Sequence, residues 1–369
     1  MNEDKSTRYH RLRRRAAALS LGLDALLLGG VIVSGASVAL RGAAAGVAGP
    51  RPALVVGVYV LLLAALHEAV SLPVAFYRGF LLERRYGLSR ESPAGWARDH
   101  VKAGVVGLAF GLAGASVAYG LLRAVPDWWW IAAASIFALA TVTLAELAPV
   151  LLLPLFYRIS PLARGALRER LVGLARRAGS QVLDVYQWHL GDRTRRANAA
   201  LVGLGRTRRI LLSDTLLAEY SDDEIEAILA HELGHHLHHD LWKSVAYETL
   251  LVFAGFFCAD RALGAFGPAA GLEGPADVAG LPLLLLASGV VSFVLLPAAN
   301  ALSRHHERRA DRVALELTGR PSAFVSAMRR LAAQNLAEED PPWLVRVLFH
   351  SHPPIRDRIA AAAAFEPSR

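Results

Sequence analysis

Residues 221–240 read SDDEIEAILAHELGHHLHHD, with histidines at 231, 235, 236, 238 and 239. Ser221 followed three residues later by Glu224 is the pattern of a capping box, and Asp222 and Asp223 suit the positive end of a helix dipole. The stretch is therefore expected to be helical, with the histidines along it. A helix turns about 100° per residue, so residues four apart share a face one turn apart. Two histidine pairs have this spacing, His231/His235 and His235/His239. His231 and His238 lie two turns apart, about 10 Å, too far to share one ion. His236 points away from the His231/His235 stripe.

The residue after the first histidine separates the two good pairs. His231 is followed by Glu232, whereas His235 is followed by His236. In H-E-x-x-H two imidazoles hold zinc, and the carboxylate one residue round the helix reaches the coordinated water. Zinc lowers that water's pKa towards about 7, and the glutamate takes its proton as it attacks a polarised carbonyl. Gly234, lacking a side chain, leaves room for substrate or for a neighbouring helix. The competing reading is a solvated, histidine-rich helix face.

A catalytic zinc needs a third protein ligand and an open fourth position. The metzincin extension requires glycine and histidine at the eighth and eleventh motif positions; here they are His238 and Leu241, which excludes that class. A glutamate from a later helix is the remaining common solution. Glu307, in NALSRHHERRAD at residues 300–311, fits. Asp311 lies one turn on and can accept an imidazole N–H, fixing a ligand's tautomer. The competing reading of Glu307 is a surface glutamate paired with nearby arginines.

The chain of 369 residues is 54% hydrophobic, and the excess sits in long runs. Residues 16–40, 52–77, 103–122, 128–157 and 278–303 are each long enough to span a bilayer as a helix. A weaker sixth, 242–263, is interrupted by Glu248, Asp260 and Arg261. The first run exceeds a signal-peptide core and ends in no A-x-A-like site, so it reads as a retained helix. Acids and histidine inside these runs (Asp24, His67, Glu68, Glu146, Glu248) would be costly against lipid and should face the bundle interior or water.

The net charge of +8 invites a nucleic-acid reading, but its distribution excludes one. Arginines 11, 13, 14 and 15, the basic residues of 78–102, and those of 158–243 fall in alternate polar segments. The intervening loops hold only Arg41, Arg51, Arg123 and Arg261. That asymmetry is the positive-inside pattern and places both termini and both large polar segments in the cytoplasm of a multi-pass cell-membrane protein. Cys258 is the only cysteine, so no intramolecular disulfide forms.

The expected organisation is a basic cytoplasmic tail (1–15), four transmembrane helices (16–157), a cytoplasmic catalytic segment (158–243), a transmembrane hairpin (244–302) and a C-terminal catalytic segment (303–369). Within 158–243, leucines 167, 171 and 174 mark a helix over 162–178. Strands follow at 181–190, 195–202 and 209–213, the last two joined by a Gly203-Leu204-Gly205 turn. The histidine helix should run directly into the fifth span. Pro353 can open a last helix.

Several blocks together resemble the M48-type family of integral-membrane zinc metallopeptidases, which holds the CAAX prenyl protease and its bacterial relatives, including the heat-shock membrane protease. They are DDEIEAILAHELGHH, the N-x-x-S-R-x-x-E-x-x-A-D pattern of Asn300, Ser303, Arg304, Glu307 and Asp311, the strand pair RRANAALVGLGRTRRILLSDTLL, and SHPPIRDRI. PLFYRISPL resembles the family's exit from the membrane. The resemblance implies a mainly α, polytopic membrane protein of about six transmembrane helices. Its cytoplasmic zinc metalloprotease domain would be of gluzincin type, with a small β-sheet. It implies one zinc ion on His231, His235 and Glu307, with Glu232 as general base and Asp311 behind the ligands. His352 and Arg358 would stabilise the oxyanion. Asn198 and Ala199 would lie on the strand that pairs with an extended peptide. The prenyl protease has seven spans around a water-filled chamber, against six counted here, and Asp240 stands where prenyl proteases often carry histidine.

The leading expectation is a zinc metalloendopeptidase acting on membrane-associated proteins or peptides. A histidine-rich metal transporter or sensor is the alternative, and would hold several metals through His236, His238 and His239. A scaffold that no longer cleaves is a third reading, disfavoured by the intact catalytic set. The arginine-rich, lysine-poor composition suggests a high-GC bacterial source, and nothing in the chain reads an isoprenoid.

Overall fold

The computed structural model describes residues 4–203 and 208–366; Leu204 and Gly205 of the expected turn and the side chain of Glu146 lie outside the described residues. Helix α1 (Lys5–Val33) ends at Ser34, and Gly35, at φ 74°, turns the chain into α2 (Ala36–Ala48). The first apolar run is thus two helices, because a left-handed glycine interrupts the helical hydrogen-bond ladder. Helix α3 (Pro52–Phe76) has proline at its first position, where no N–H is needed, and passes through a π-turn into α4 (Leu82–Arg85). Then come α5 (Pro93–Ala124), α6 (Trp129–Leu151) and the short α7 (Leu153–Phe156).

The polar segment that follows builds a four-stranded sheet in the order β1-β2-β4-β3: β1 (Ile159–Pro161), β2 (Asp184–Trp188), β3 (Ala199–Val202) and β4 (Arg209–Ser213). β2 runs parallel to β4; the other pairs are antiparallel. Helix α8 (Gly165–Arg177) lies between β1 and β2, and the short α9 (Asp214–Glu219) and α10 (Asp222–Leu237) follow β4. Leu167, Leu171 and Leu174 are fully buried, in a core shared with Ile210, Leu212, Ile225, Leu229 and Phe324. The expected strand at 195–202 is regular only from Ala199. Residues before it leave the sheet: Arg195 N–H donates to Leu88 O (3.0 Å) and Ser89 bridges Thr194.

Helix α11 (Asp240–Phe266) returns through the apolar bundle, and α12 (Leu281–Thr318) comes back in one 38-residue helix. The chain ends in α13 (Pro321–Asn335), α14 (Trp343–Phe349) and α15 (Ile355–Ala363). Among the described residues five helices are long and apolar enough to cross a membrane: α1, α3 with its continuation to Arg85, α5, α11 and α12. α2 and the 129–145 part of α6 are shorter. Many of their outward side chains are apolar; Leu26, Val105, Leu250 and Val294 are all mostly exposed, the surface a helix presents to hydrocarbon. Tyr59, Tyr119, Trp129, Ala133, Phe256 and Ala259 fill the interior.

Several intramembrane polar groups find partners. Asp260 accepts from Trp129 Nε1 (2.7 Å), Asp24 pairs with His67 (3.1 Å) and Glu68 with His100 (2.7 Å), while Glu248 is exposed on α11. Asp24 and His67 border an apolar cavity of about 550 Å³ between α1, α3, α5 and α12. At one end of the bundle α2 is tied down, Ser37 donating to Ala279 O and Arg41 pairing with Glu273 and Asp277. At the other, the basic start of α1 meets the polar segments. Tyr9 is buried against Leu82, Tyr86 and Leu88; Arg196 donates to both Tyr9 and Glu83; Arg14 pairs with Glu338.

Candidate active site

The capping box forms as the spacing predicts: Ser221 N–H donates to Glu224 Oε2 (2.8 Å) and Glu224 N–H to Ser221 Oγ (3.3 Å). α10 does not run on into α11. It stops at Leu237, and His239 adopts a left-handed conformation (φ 53°) before α11 begins at Asp240. Such a conformation costs a non-glycine residue about 1–2 kcal/mol. The bend brings the buried Asp240 back towards α10, its Oδ2 3.2 Å from His235 Nδ1. Lys243 and His306 stand on the other carboxylate oxygen, at 3.2 and 3.6 Å.

α10 lies directly against α12, and Gly234 is the reason it can. A Cβ at this position would sit 2.7 Å from Ala310 Cα, so the missing side chain makes room for a helix. This close approach carries Glu307 to the histidines. His231 Nε2 and His235 Nε2 are 3.2 Å apart; Glu307 Oε2 is 3.4 Å from the first and Oε1 is 3.4 Å from the second. Bonds of about 2.0–2.1 Å to a tetrahedral zinc would hold neighbouring ligand atoms about 3.3 Å apart. Glu307 is buried, and its Oε2 makes no well-formed hydrogen bond although His352 Nδ1 stands 2.9 Å away. Two ring nitrogens and an under-used carboxylate oxygen converging at this spacing suit one ion, and among the described residues they are the group able to hold a metal.

The outer ring nitrogens carry carboxylates. Asp311 Oδ1 is 2.8 Å from His231 Nδ1, as Asp240 is on His235. Arg358, almost wholly buried, locks Asp311 from behind, Nε on Oδ2 (2.8 Å) and Nη2 on Oδ1 (2.5 Å). Nη2 also comes within 3.3 Å of His231 Nδ1, but the shorter Asp311 contact makes that nitrogen an N–H donor and turns the Nε2 lone pair inward. Only Arg358 Nη1 remains towards the centre, 3.8 Å from Glu307 Oε2. Burial would lower the pKa of His231, yet Asp311 and Glu307 outweigh it and raise it to about 9. His235 is raised too, Glu307 overcoming burial, and burial pushes the Glu232 carboxyl up.

His231, His235, Glu307, Asp311, His352 and Arg358 therefore come together, with Glu232 beside the histidine pair. Asn198 is exposed just before β3 and is held through its backbone: its N–H donates to Ser213 Oγ and its carbonyl accepts from Ser213 N–H, both at 2.9 Å. Ala199 pairs with Leu212. β3 is last in the sheet and rests against α10, so its outer edge carries no strand among the described residues. His236, His238 and His239 stay outside the cluster. Sequence reading missed Asp240, whose signal was only an acid five residues after His235.

A cluster able to hold a metal thus sits at the polar end of an apolar helix bundle. Residues 161–366 match the family described as Peptidase family M48, and residues 2–158 match "CAAX prenyl protease N-terminal, five membrane helices". The chain belongs to peptidase family M48. It is 32% identical to the uncharacterized metalloprotease YhfN of Bacillus subtilis over 82% of this chain and 72% of the relative. Against CAAX prenyl protease 1 of Saccharomyces cerevisiae it is 28% identical, over 81% and 70%. The crystal structure of S. mikatae Ste24p superposes with a TM-score of 0.86 at 23% identity, covering 97% of this chain and 88% of that one, and shares its fold.

Proposed function

We propose that the chain is a zinc metalloendopeptidase that cleaves membrane-associated proteins or peptides, with its active site and both termini on the cytoplasmic side of the cell membrane. The observation that carries this reading is the convergence of His231, His235 and Glu307 at 3.2–3.4 Å with Glu232 adjoining. These three residues would hold the zinc, which when bound supplies a Lewis acid for the scissile carbonyl and acidifies a water. Glu232 accepts the proton of the attacking water and delivers it to the leaving amine, a task its burial-raised pKa suits. His352 and the Nη1 of Arg358 donate to the oxyanion as it develops. An extended substrate adds to the open edge of β3 through backbone hydrogen bonds, with Asn198 and Ala199 at its start. The cytoplasmic assignment draws support from the basic start of α1 meeting the polar segments at one end.

Replacing Glu232 with glutamine should leave one zinc per chain and abolish cleavage. Incubated in native membranes, that variant should retain uncut substrates identifiable by mass spectrometry. Cleavage that survives Glu232→Gln would refute the mechanism.

A further inference from the structure

Asn300, Arg304, Glu307 and Asp311 are spaced four, three and four residues apart, so they form one stripe along α12, roughly 16 Å long. The lower two rungs belong to the site already described. The upper two hold something else. Arg304 Nη1 donates to Arg346 O (3.0 Å) and His350 O (2.7 Å). Asn300 Nδ2 donates to Leu348 O (2.9 Å) and Val347 O (3.4 Å). The last four carbonyls of a helix lack partners within it. α14 ends at Phe349, and the two side chains serve three of its last four carbonyls and that of His350 beyond; of these, Arg346 O also accepts from His350 N–H (3.3 Å).

The chain leaving α14 is His350-Ser351-His352-Pro353-Pro354, which has no regular structure until α15 opens at Ile355. His352 is 63% exposed at its side chain and reaches the centre through its 2.9 Å contact to Glu307. An exposed histidine on an irregular segment does not orient itself. The prolines stiffen the exit, and the clamped end of α14 sets the entrance. Arg304 is a half-buried cation that donates to two carbonyls, an arrangement favourable at the negative end of a helix dipole.

We propose that Asn300 and Arg304 are positioning residues that fix His352 over the reaction centre by clamping the end of α14. The inference rests on the reading of His352 as an oxyanion donor. The geometry makes one helix the ruler for both the metal ligand and the donor opposite it.

The test is a double-mutant cycle on the full-length zinc-loaded protein in detergent micelles, with an internally quenched apolar-rich peptide as probe and zinc measured in parallel. Arg304→Ala should lower kcat by about tenfold or more, as small misplacements of a catalytic group do, with KM and zinc content kept. Arg304→Lys, which can still donate to both carbonyls, should restore most of the loss. In a His352→Ala background, Arg304→Ala should cost little more. Losses that multiply in the double variant, a lysine no better than alanine, or zinc lost with Arg304→Ala would each overturn the proposal. Where Arg304→Ala does not fold, Asn300→Ala carries the same cycle. A His352→Ala protein with unchanged kcat would remove the oxyanion reading and this inference together. A His352→Ala defect with full activity in Arg304→Ala would remove this inference alone.

Discussion

Asp240 Oδ2 stands 3.2 Å from His235 Nδ1, so each histidine of the pair has a carboxylate on its outer nitrogen, Asp311 serving His231 in the same way. Such carboxylates fix the imidazole tautomer and raise ligand basicity. Asp240→Asn should weaken zinc binding by about 10–100-fold, the usual effect of losing such a partner. Competition with a zinc chelator measures it. Unchanged affinity would show that the contact does not act on the metal.

Gly234 allows α10 to lie on Ala310 of α12. Gly234→Ala puts a methyl into backbone, and the helices must part. Overpacking of this kind costs about 1–3 kcal/mol. The same displacement moves Glu307 from the histidines, so zinc should be lost with stability. A variant with native Tm and one zinc would contradict the packing argument.

His350 is held below the ordinary histidine range by burial; Glu338 opposes this, and His10 and Arg14 add to it. The folded state therefore binds fewer protons than the unfolded chain near an ordinary histidine pKa of about 6.5. This contribution is present above about pH 6.5 and is lost as pH falls below it. Tm measured from pH 8 to 5 should drop more steeply for the natural protein than for His350→Asn. Parallel curves would rule out this histidine as a source of acid sensitivity.

His236, His238 and His239 lie outside the metal-holding cluster. A triple alanine variant should still bind one zinc and retain activity, whereas His231→Ala should lose both. Several metals per chain, falling with the triple variant, would favour transport or sensing instead.

The parts legible in the sequence were those whose cause is local. The Ser221–Glu224 box, the His231/His235 face and the Glu307/Asp311 spacing all follow from helical periodicity, and the structure places them on α10 and α12 as expected. The parts that were not legible depend on contacts between distant segments. Strand β3 is cut short because residues 193–195 pair with 88–90. The break at His239 carries no glycine to announce it, and what it places, Asp240 on His235, becomes visible only when the helix folds back. The helix break at Gly35 lies inside a long apolar run, where hydropathy cannot register it. The clamp of α14 was hidden for the same reason: Asn300 and Arg304 stood in a motif, but their acceptors are more than forty residues away.

The stripe on α12 also sets a rule for chain length. Asn300, Arg304, Glu307 and Asp311 act in step only while each intervening residue adds 100° of rotation. One residue inserted between Arg304 and Glu307 would swing the metal-side rungs a quarter-turn away from the clamp-side rungs. A substitution at Arg304 or Glu307 removes the contacts of that one residue; an insertion or deletion between them dismantles the register of all four. Length, more than identity, is what this segment cannot vary.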